Sequence, residues 1–466
     1  MCPPVFHYYQ RTELFFLGTN GFDMRRIVLF LVCFLFAFQG IAKTYKDSPG
    51  ENLIRLMQHE GAKYIISYHH TFRDTLFIPK NCELLFDGGS LVGPIVLNNT
   101  ELTGKVNLKG ASLSGSVSNK VFESDWLCET DGISDEALHI NQMIEVCGNV
   151  HFSAGKYRLV SAFNPKSVLG KNYQASIKAH IGIFKSDVSL IGEEGTEFIT
   201  SDHLGIICVF SKPNQIENSV KNITINNIVF TTKNDGKEFY EFVHVIKLIG
   251  VNGMSIKKCF FNDFWGDAIA LSHYGDTPKT GERTLNQNVI IDDNIIIGGE
   301  HHNNRNGISV VSGKNVLIKR NSIKNTSRDD MPGGIDIEPN NSAYTVENIR
   351  IVGNNIEGCR GTVGAIGVVM LNEGAPGHNI TIESNFIKNC SNGIAVALKT
   401  RGSTSHFIIR NNIVDEDTRP YKFVFNGQSV HWIISGNVFL QPCKQSIPGR
   451  IKVENLTVKN NVIRSF

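Results

Sequence analysis

The sequence predicts an all-β fold: a right-handed parallel β-helix with three strands per coil. Three observations carry this expectation. A nine-residue phrase recurs nine times between Asn222 and the C-terminus. Seven of the nine copies place an asparagine at one fixed slot. A second, shorter phrase alternates with the first.

The copies begin at 222, 253, 288, 315, 348, 379, 406, 431 and 455, and include NVIIDDNII, NVLIKRNSI and NIRIVGNNI. Separations of 24 to 35 residues are too uneven for a helical array of fixed period. The second and fourth residues are apolar and the third is usually polar, the alternation of a strand with one buried face. Six residues after each start stand Asn294, Asn321, Asn354, Asn385, Asn412, Asn437 and Asn461. A buried amide without partners costs about 1–3 kcal/mol, so this run predicts a column in which each side chain bonds to the next coil. The second phrase reads AIALS at 268–272, GISVV at 307–311, GIDIE at 334–338, AIGVV at 365–369 and GIAVA at 393–397. Two strands from the first phrase and one from the second make a coil, and each coil must bury its apolar side on the next. Nine such coils are expected. Cys359 and Cys390 each follow a column asparagine by five residues. They are expected to stack in a column of small buried residues with Gly299 and Thr326; a disulfide is the alternative.

Along the chain, residues 1–23 read as an upstream extension, with Met24 the expected start. Residues 24–42 read as a signal peptide: two arginines, an apolar run from Ile27 to Phe38, then the small residues Gly40 and Ala42. The run is short for a bilayer span. The mature chain is therefore expected to be secreted or periplasmic, with no membrane span. Residues 43–125 hold a short helix over 50–60 and then short strands punctuated by glycine. They read as a β-rich cap or early solenoid covering the first coil's open edge. Residues 126–466 are the main solenoid. The formal net charge of +2, with no basic stretch interleaved with aromatics, argues against nucleic acid. The expected partner is a polysaccharide, and the expected state a monomer or a homotrimer packed through an uncapped end.

The segment DGISDEALHINQMI at 131–144, followed by NVHFSAGKY at 149–157, resembles the opening of the main solenoid in the pectate-lyase-like, right-handed parallel β-helix superfamily. Asp131, Gly132, Asp135, Phe152, Ala154, Gly155 and Tyr157 match its pattern; Glu136, Ala137 and Ser153 depart from it. The resemblance covers roughly 126–466 and implies the fold, often found in secreted bacterial polysaccharide-degrading enzymes. It does not choose among hydrolases, lyases, epimerases, tail spikes and adhesins. The N-T-D and G-D-D signatures of polygalacturonases are absent, and their catalytic residues are not carried over.

Chemistry is expected on the strand GIDIEP. If Ile335 and Ile337 point inward, Asp336 and Glu338 share the outer face, with alpha carbons about 6.6 Å apart. Two carboxylates so held suit glycosidic cleavage, one giving a proton and the other activating water or attacking. Neighbouring coils offer Ala270, Ser309, Gly367 and Ala395 beside Asp336, small residues that would leave a groove. Adjacent turns supply candidates for holding substrate: His273, His301, His302, Arg305, Arg328 and Asn340. Trp265 reads either as a sugar-stacking ring or as a cap on the core. Asp267 reads as a turn residue before a catalyst. The leading expectation is a glycoside hydrolase. The alternatives are a uronate lyase or epimerase, or a non-catalytic tail-spike-like or adhesin-like module. In the lyase, Asp329, Asp330, Asp336 and Glu338 would hold calcium and Lys399, Arg401 or His273 would act as base.

Overall fold

Alternating apolar residues in the repeated phrases become strands that pair only with their copies one coil away. The computed structural model describes residues 43–463 apart from 166–168, 170–176, 213–219, 275–284, 340–343, 371–376, 399–403, 416, 426–428 and 441–452. The expected extension over 1–23, the signal peptide over 24–42, Asn340, Lys399 and Arg401 lie outside the described residues. Among the described residues no helix is long and apolar enough to cross a membrane.

Nine coils send one strand to each of three parallel sheets, and three more join only the first two sheets among the described residues. The first sheet has 12 strands, from Phe122–Glu123 to Val453–Lys459; the second has 12, from Asp131–Asp135 to Val462–Ile463. The third has nine, from Ala179–Ile183 to Arg419–Phe425. This is a right-handed parallel β-helix. Its two long sheets exceed the nine expected coils. Ahead of the first repeat copy, Phe122–Glu123, Asn149–Phe152 and Val188–Gly192 already pair in the first sheet. These early coils lack the asparagine slot and fill their interior with rings instead. Phe152, Phe198, Phe230 and Phe261 follow one another at centroid distances of 5.0, 5.8 and 5.1 Å.

The asparagine column forms as expected. Asn294 Nδ2 donates to Asn321 Oδ1 at 2.9 Å, and the chain of amides runs on through Asn354, Asn385, Asn412 and Asn437 to Asn461. Each amide nitrogen also donates to a carbonyl of the previous coil, Asn354 to Ile318 at 3.1 Å. Each amide oxygen also accepts a backbone N–H, Asn354 from Asn321 at 2.9 Å. A second, exposed ladder stands at the first residue of the phrase. Asn288, Asn315, Asn348 and Asn379 each donate to the asparagine one coil back, at 2.7–3.0 Å. All four have φ of 55–56°, a left-handed turn that asparagine tolerates.

Cys359 and Cys390 are buried free thiols. Thr326 donates to Cys359 Sγ at 3.1 Å, the Cys359 N–H donates to Cys390 Sγ at 3.4 Å, and the Cys390 N–H donates to Thr418 at 2.9 Å. The column of small residues is thus continuous.

Upstream, six strands between Thr44 and Val117 form a further parallel sheet, and their apolar side chains join the solenoid's core. The helix expected over 50–60 is only Leu53–Leu56, capped by Asn52, and the chain leaves helical geometry at Met57. A ten-residue helix, Ala137–Val146, buries Ile140, Met143 and Ile144 in the same core.

Candidate active site

Strand Gly333–Ile337 places Ile335 and Ile337 in the core, so Asp336 faces the opposite side. The register aligns Asp336 with Ser309, Ala270 and Lys247 on one side and with Gly367, Ala395 and Lys422 on the other. The expected row of small neighbours is therefore present. Gly367 has no room for a side chain, because a Cβ there would meet Val363 Cγ2 at 2.5 Å. Val363, Val369 and Ala395 form a small apolar cluster of their own on this outer face.

The open groove floor expected at Asp336 is not found. Asp336 has 0% relative exposure, although it lies on the outer side of its strand. Neither of its carboxylate oxygens has a hydrogen-bond partner among the described residues. Glu338, two residues on, keeps 20% side-chain exposure. Burial, and then the Glu338 charge, push the Asp336 carboxyl well above the usual carboxylate range. Burial also raises Glu338, with Arg305 acting against it.

What closes the site is Arg305, from the turn one coil earlier. Its guanidinium lies 3.1 Å from Asp267 Oδ2, 3.7 Å from Glu338 Oε2 and 3.7 Å from Glu241 Oε1. One arginine thus faces three carboxylates while 13% exposed. Asp267, in the turn before strand Ile269–Ser272, is the fully buried centre of this network. It accepts from Ser309 Oγ at 2.6 Å and from the Asn306 N–H at 3.0 Å. Its own N–H donates to His244 Nδ1 at 3.1 Å. Burial alone would raise its carboxyl, but Arg305, then His244 and Ser309, outweigh that and hold it well below the usual range. Burial pulls His244 down, which favours the neutral ring that can accept this N–H.

The other candidates divide. Trp265 is 3% exposed and meets His203 and Tyr240 edge-on. It caps packed side chains, and its burial corrects the expectation of a free sugar-stacking ring. Asp267 is corrected likewise, since a fully buried carboxylate makes no contact with a substrate in this conformation. His273 stacks on Tyr344 at 4.1 Å and bonds its hydroxyl through Nδ1 at 2.8 Å. His301 lies 3.6 Å from Asp263. Arg328 is taken up by Asp330 at 3.0 Å and lies over the Phe239 ring. His302 and Asp329 line a cavity of about 480 Å³ with Asn325, Arg360, Asn389 and Ser391.

Asp329, Asp330, Asp336 and Glu338 do not assemble into a calcium cage. The one group of three or more possible metal-binding side chains that converges among the described residues lies elsewhere. Arg305 stands against Glu338 where that cation would be.

Sequence reasoning missed Glu241, His244 and Ser309. Ser309 was legible as Asp336's neighbour in register, but its bond to Asp267 was not. Glu241 and His244 lie in a stretch without repeat, and only the fold brings them to Arg305. Phe242, beside Glu241, is 68% exposed.

No family model matches the chain, and no curated protein matches it in sequence. Solved structures share its architecture. An endo-xylogalacturonan hydrolase from Aspergillus tubingensis superposes with a TM-score of 0.51 at 11% identity, over 74% of this chain and 93% of its own. A surface adhesin of Streptococcus pneumoniae gives 0.43 at 13%, over 74% and 90%. The A-module of a mannuronan C-5 epimerase from Azotobacter vinelandii gives 0.39 at 13%, over 72% and 93%. At these identities the likeness is one of fold.

Proposed function

We propose that this protein is a polysaccharide-cleaving glycoside hydrolase in which Glu338 gives the proton to the leaving oxygen. The observation that carries the reading is the pair Asp336 and Glu338. Two carboxylates share one strand face, both are pushed towards the protonated form, and one of them reaches solvent. A general acid must hold its proton at working pH, and burial, which raises Glu338, is a direct way to make it do so. Asp336, also buried and pushed up further, sits beside it, and the two acids titrate as a pair.

The second carboxylate flanking the scissile bond is Glu241. It meets the same Arg305 guanidinium as Glu338 and is 39% exposed. Both acids lie 3.7 Å from the same guanidinium. Their oxygens are therefore no more than about 10 Å apart, within reach of a glycosidic bond with an attacking water between. Asp267 stays ionised beneath Arg305 and fixes its orientation. An endo-xylogalacturonan hydrolase is built on the same coil, so the scaffold can carry glycan hydrolysis.

The test is turnover on a panel of plant, host and microbial glycans with mass analysis of the products. Hydrolysis adds one water per cleavage, whereas a lyase leaves an unsaturated, ultraviolet-absorbing end. Glu338→Gln should lose activity by about 10²–10⁴-fold. Full activity in that variant refutes the assignment.

A further inference from the structure

We propose that Cys128, Glu136 and His139 form a zinc site that ties the helix Ala137–Val146 to the turn after Ser124–Trp126. The Cys128 sulfur, a Glu136 carboxylate oxygen and a His139 ring nitrogen all lie within 4.8 Å of one another. The donors are sulfur, oxygen and nitrogen, and two of the three side chains are shut from solvent: Cys128 is 0% and Glu136 1% exposed. His139 keeps 24% side-chain exposure and marks the side from which an ion enters.

Local structure places each ligand. Glu136 caps the ten-residue helix and His139 sits in its first turn. A spacing of three puts both on one helix face. The Glu136 carboxylate is already fixed, accepting the Glu129 N–H at 3.0 Å and lying 2.7 Å from His139 Nδ1. The Cys128 backbone is held by an N–H bond to Ser124 O at 2.8 Å. Two chain segments, the turn at Cys128 and the start of the helix, therefore present one soft, one borderline and one hard donor to a common point.

Charge favours occupation. A thiolate, a carboxylate and a neutral imidazole around a dication sum to zero, which is what a buried site requires. On binding, the sulfur–metal bond replaces the S–H bond and the thiol proton leaves to solvent; nothing is oxidised or reduced. Thiolate with imidazole selects zinc over calcium or magnesium, which take oxygen ligands. Three protein donors leave a fourth position for water on the His139 side. Tetrahedral zinc–ligand bonds of about 2.0–2.3 Å place ligand atoms about 3.3 Å or more apart, so Glu136 Oε2 and His139 Nδ1, now 2.7 Å apart, must separate if both bind. Rotation of the half-exposed His139 ring supplies most of that movement. The helix N-terminus opposes a cation, but weakly beside two anionic ligands.

The test uses the full chain, stripped of metal by chelation and titrated with Zn²⁺ and separately with Co²⁺. The expected result is one zinc per chain, about one proton released, and a raised Tm that chelation reverses. The cobalt form should show a sulfur-to-metal charge-transfer band that Cys128→Ser abolishes. Because a buried cysteine variant can fail to fold, His139→Ala at the exposed edge is the second arm. It should weaken zinc binding by about 100-fold. Absence of stoichiometric uptake by the wild type overturns the site. So does zinc binding of undiminished affinity in both variants. Neither outcome depends on whether the protein cleaves glycans.

Discussion

Asp336 and Asp267 are two carboxylates without access to water, two coils apart, and the protein sets them in opposite directions. Asp267 has a guanidinium, a hydroxyl and a backbone N–H; Asp336 has an acidic neighbour and no hydrogen-bond partner among the described residues. Their effects on stability therefore have opposite signs. The raised Asp336 contributes fully below the unfolded carboxylate pKa of about 3.9 and loses that contribution as pH rises through its folded value. The depressed Asp267 contributes above about 3.9 and loses its share as pH falls through its folded value. Asp336→Asn, which cannot ionise, should be more stable than wild type at neutral pH. The advantage should shrink by at most about 1.4 kcal/mol per pH unit towards pH 4. Denaturant melts of both proteins from pH 4 to 8 measure it; a pH-independent difference would mean Asp336 does not titrate. Removing the cation has the reverse logic. Arg305→Met leaves Asp267 buried and unpaired and should cost about 3–5 kcal/mol. Adding Asp267→Asn should restore most of that loss, and additive effects in the double mutant would refute the coupling. The acid pair was legible in the sequence because strand alternation fixes which side of GIDIE faces outward. Its burial was not. Exposure is decided by Arg305, whose reach to Asp267 and Glu338 no local pattern encodes, and by Glu241, which lies outside any repeat.

The coil element was far more legible, and the reason is specific. The slot from Asn294 to Asn461 repeats because each amide must meet the next at about 3 Å with its remaining hydrogen bonds satisfied. Few other side chains supply both a donor and an acceptor there. The coils ahead of Asn222 escaped notice because Phe152 and Phe198 fill the interior there without hydrogen-bond constraints, and aromatic packing leaves no strict spelling. The two asparagine ladders give a paired prediction. Asn354→Ala, in the buried column, breaks bonds to Asn321, Asn385 and Ile318 and should cost about 1–3 kcal/mol. Asn348→Gly, in the exposed ladder, keeps the left-handed turn available and leaves its partners to water. It should cost less than about 1 kcal/mol. Chemical denaturation of the two variants decides the matter, and equal losses would remove the distinction between a structural column and a surface one.

Across the whole molecule, the strands of each coil pair only with those of its neighbours, so stability is largely a sum of local interfaces rather than the property of one centre. The coil around Asn354 has a partner on both sides and buries Ile349, Ile351 and Ile356 completely. The strand Val453–Lys459 pairs on one side only among the described residues, and its Val458 is 45% exposed. Opening free energies should then grade along the stack. Amide hydrogen exchange is expected to be slowest in the strands between Asn286 and Leu398 and fastest in Val453–Lys459, because a terminal coil can open without disturbing the rest. The gradient bears directly on the candidate site. Arg305, Asp336 and Glu338 lie inside the protected stretch, so a rigid scaffold holds the acids, while Glu241 comes from a turn outside the strands. Exchange at 235–243 should accordingly be faster than at Gly333–Ile337. Adding a bound oligosaccharide should slow the turn and leave the strand unchanged. Uniform exchange along all coils would instead mean that the solenoid unfolds as one cooperative unit, and the separation of a fixed acid from a movable partner would fail with it.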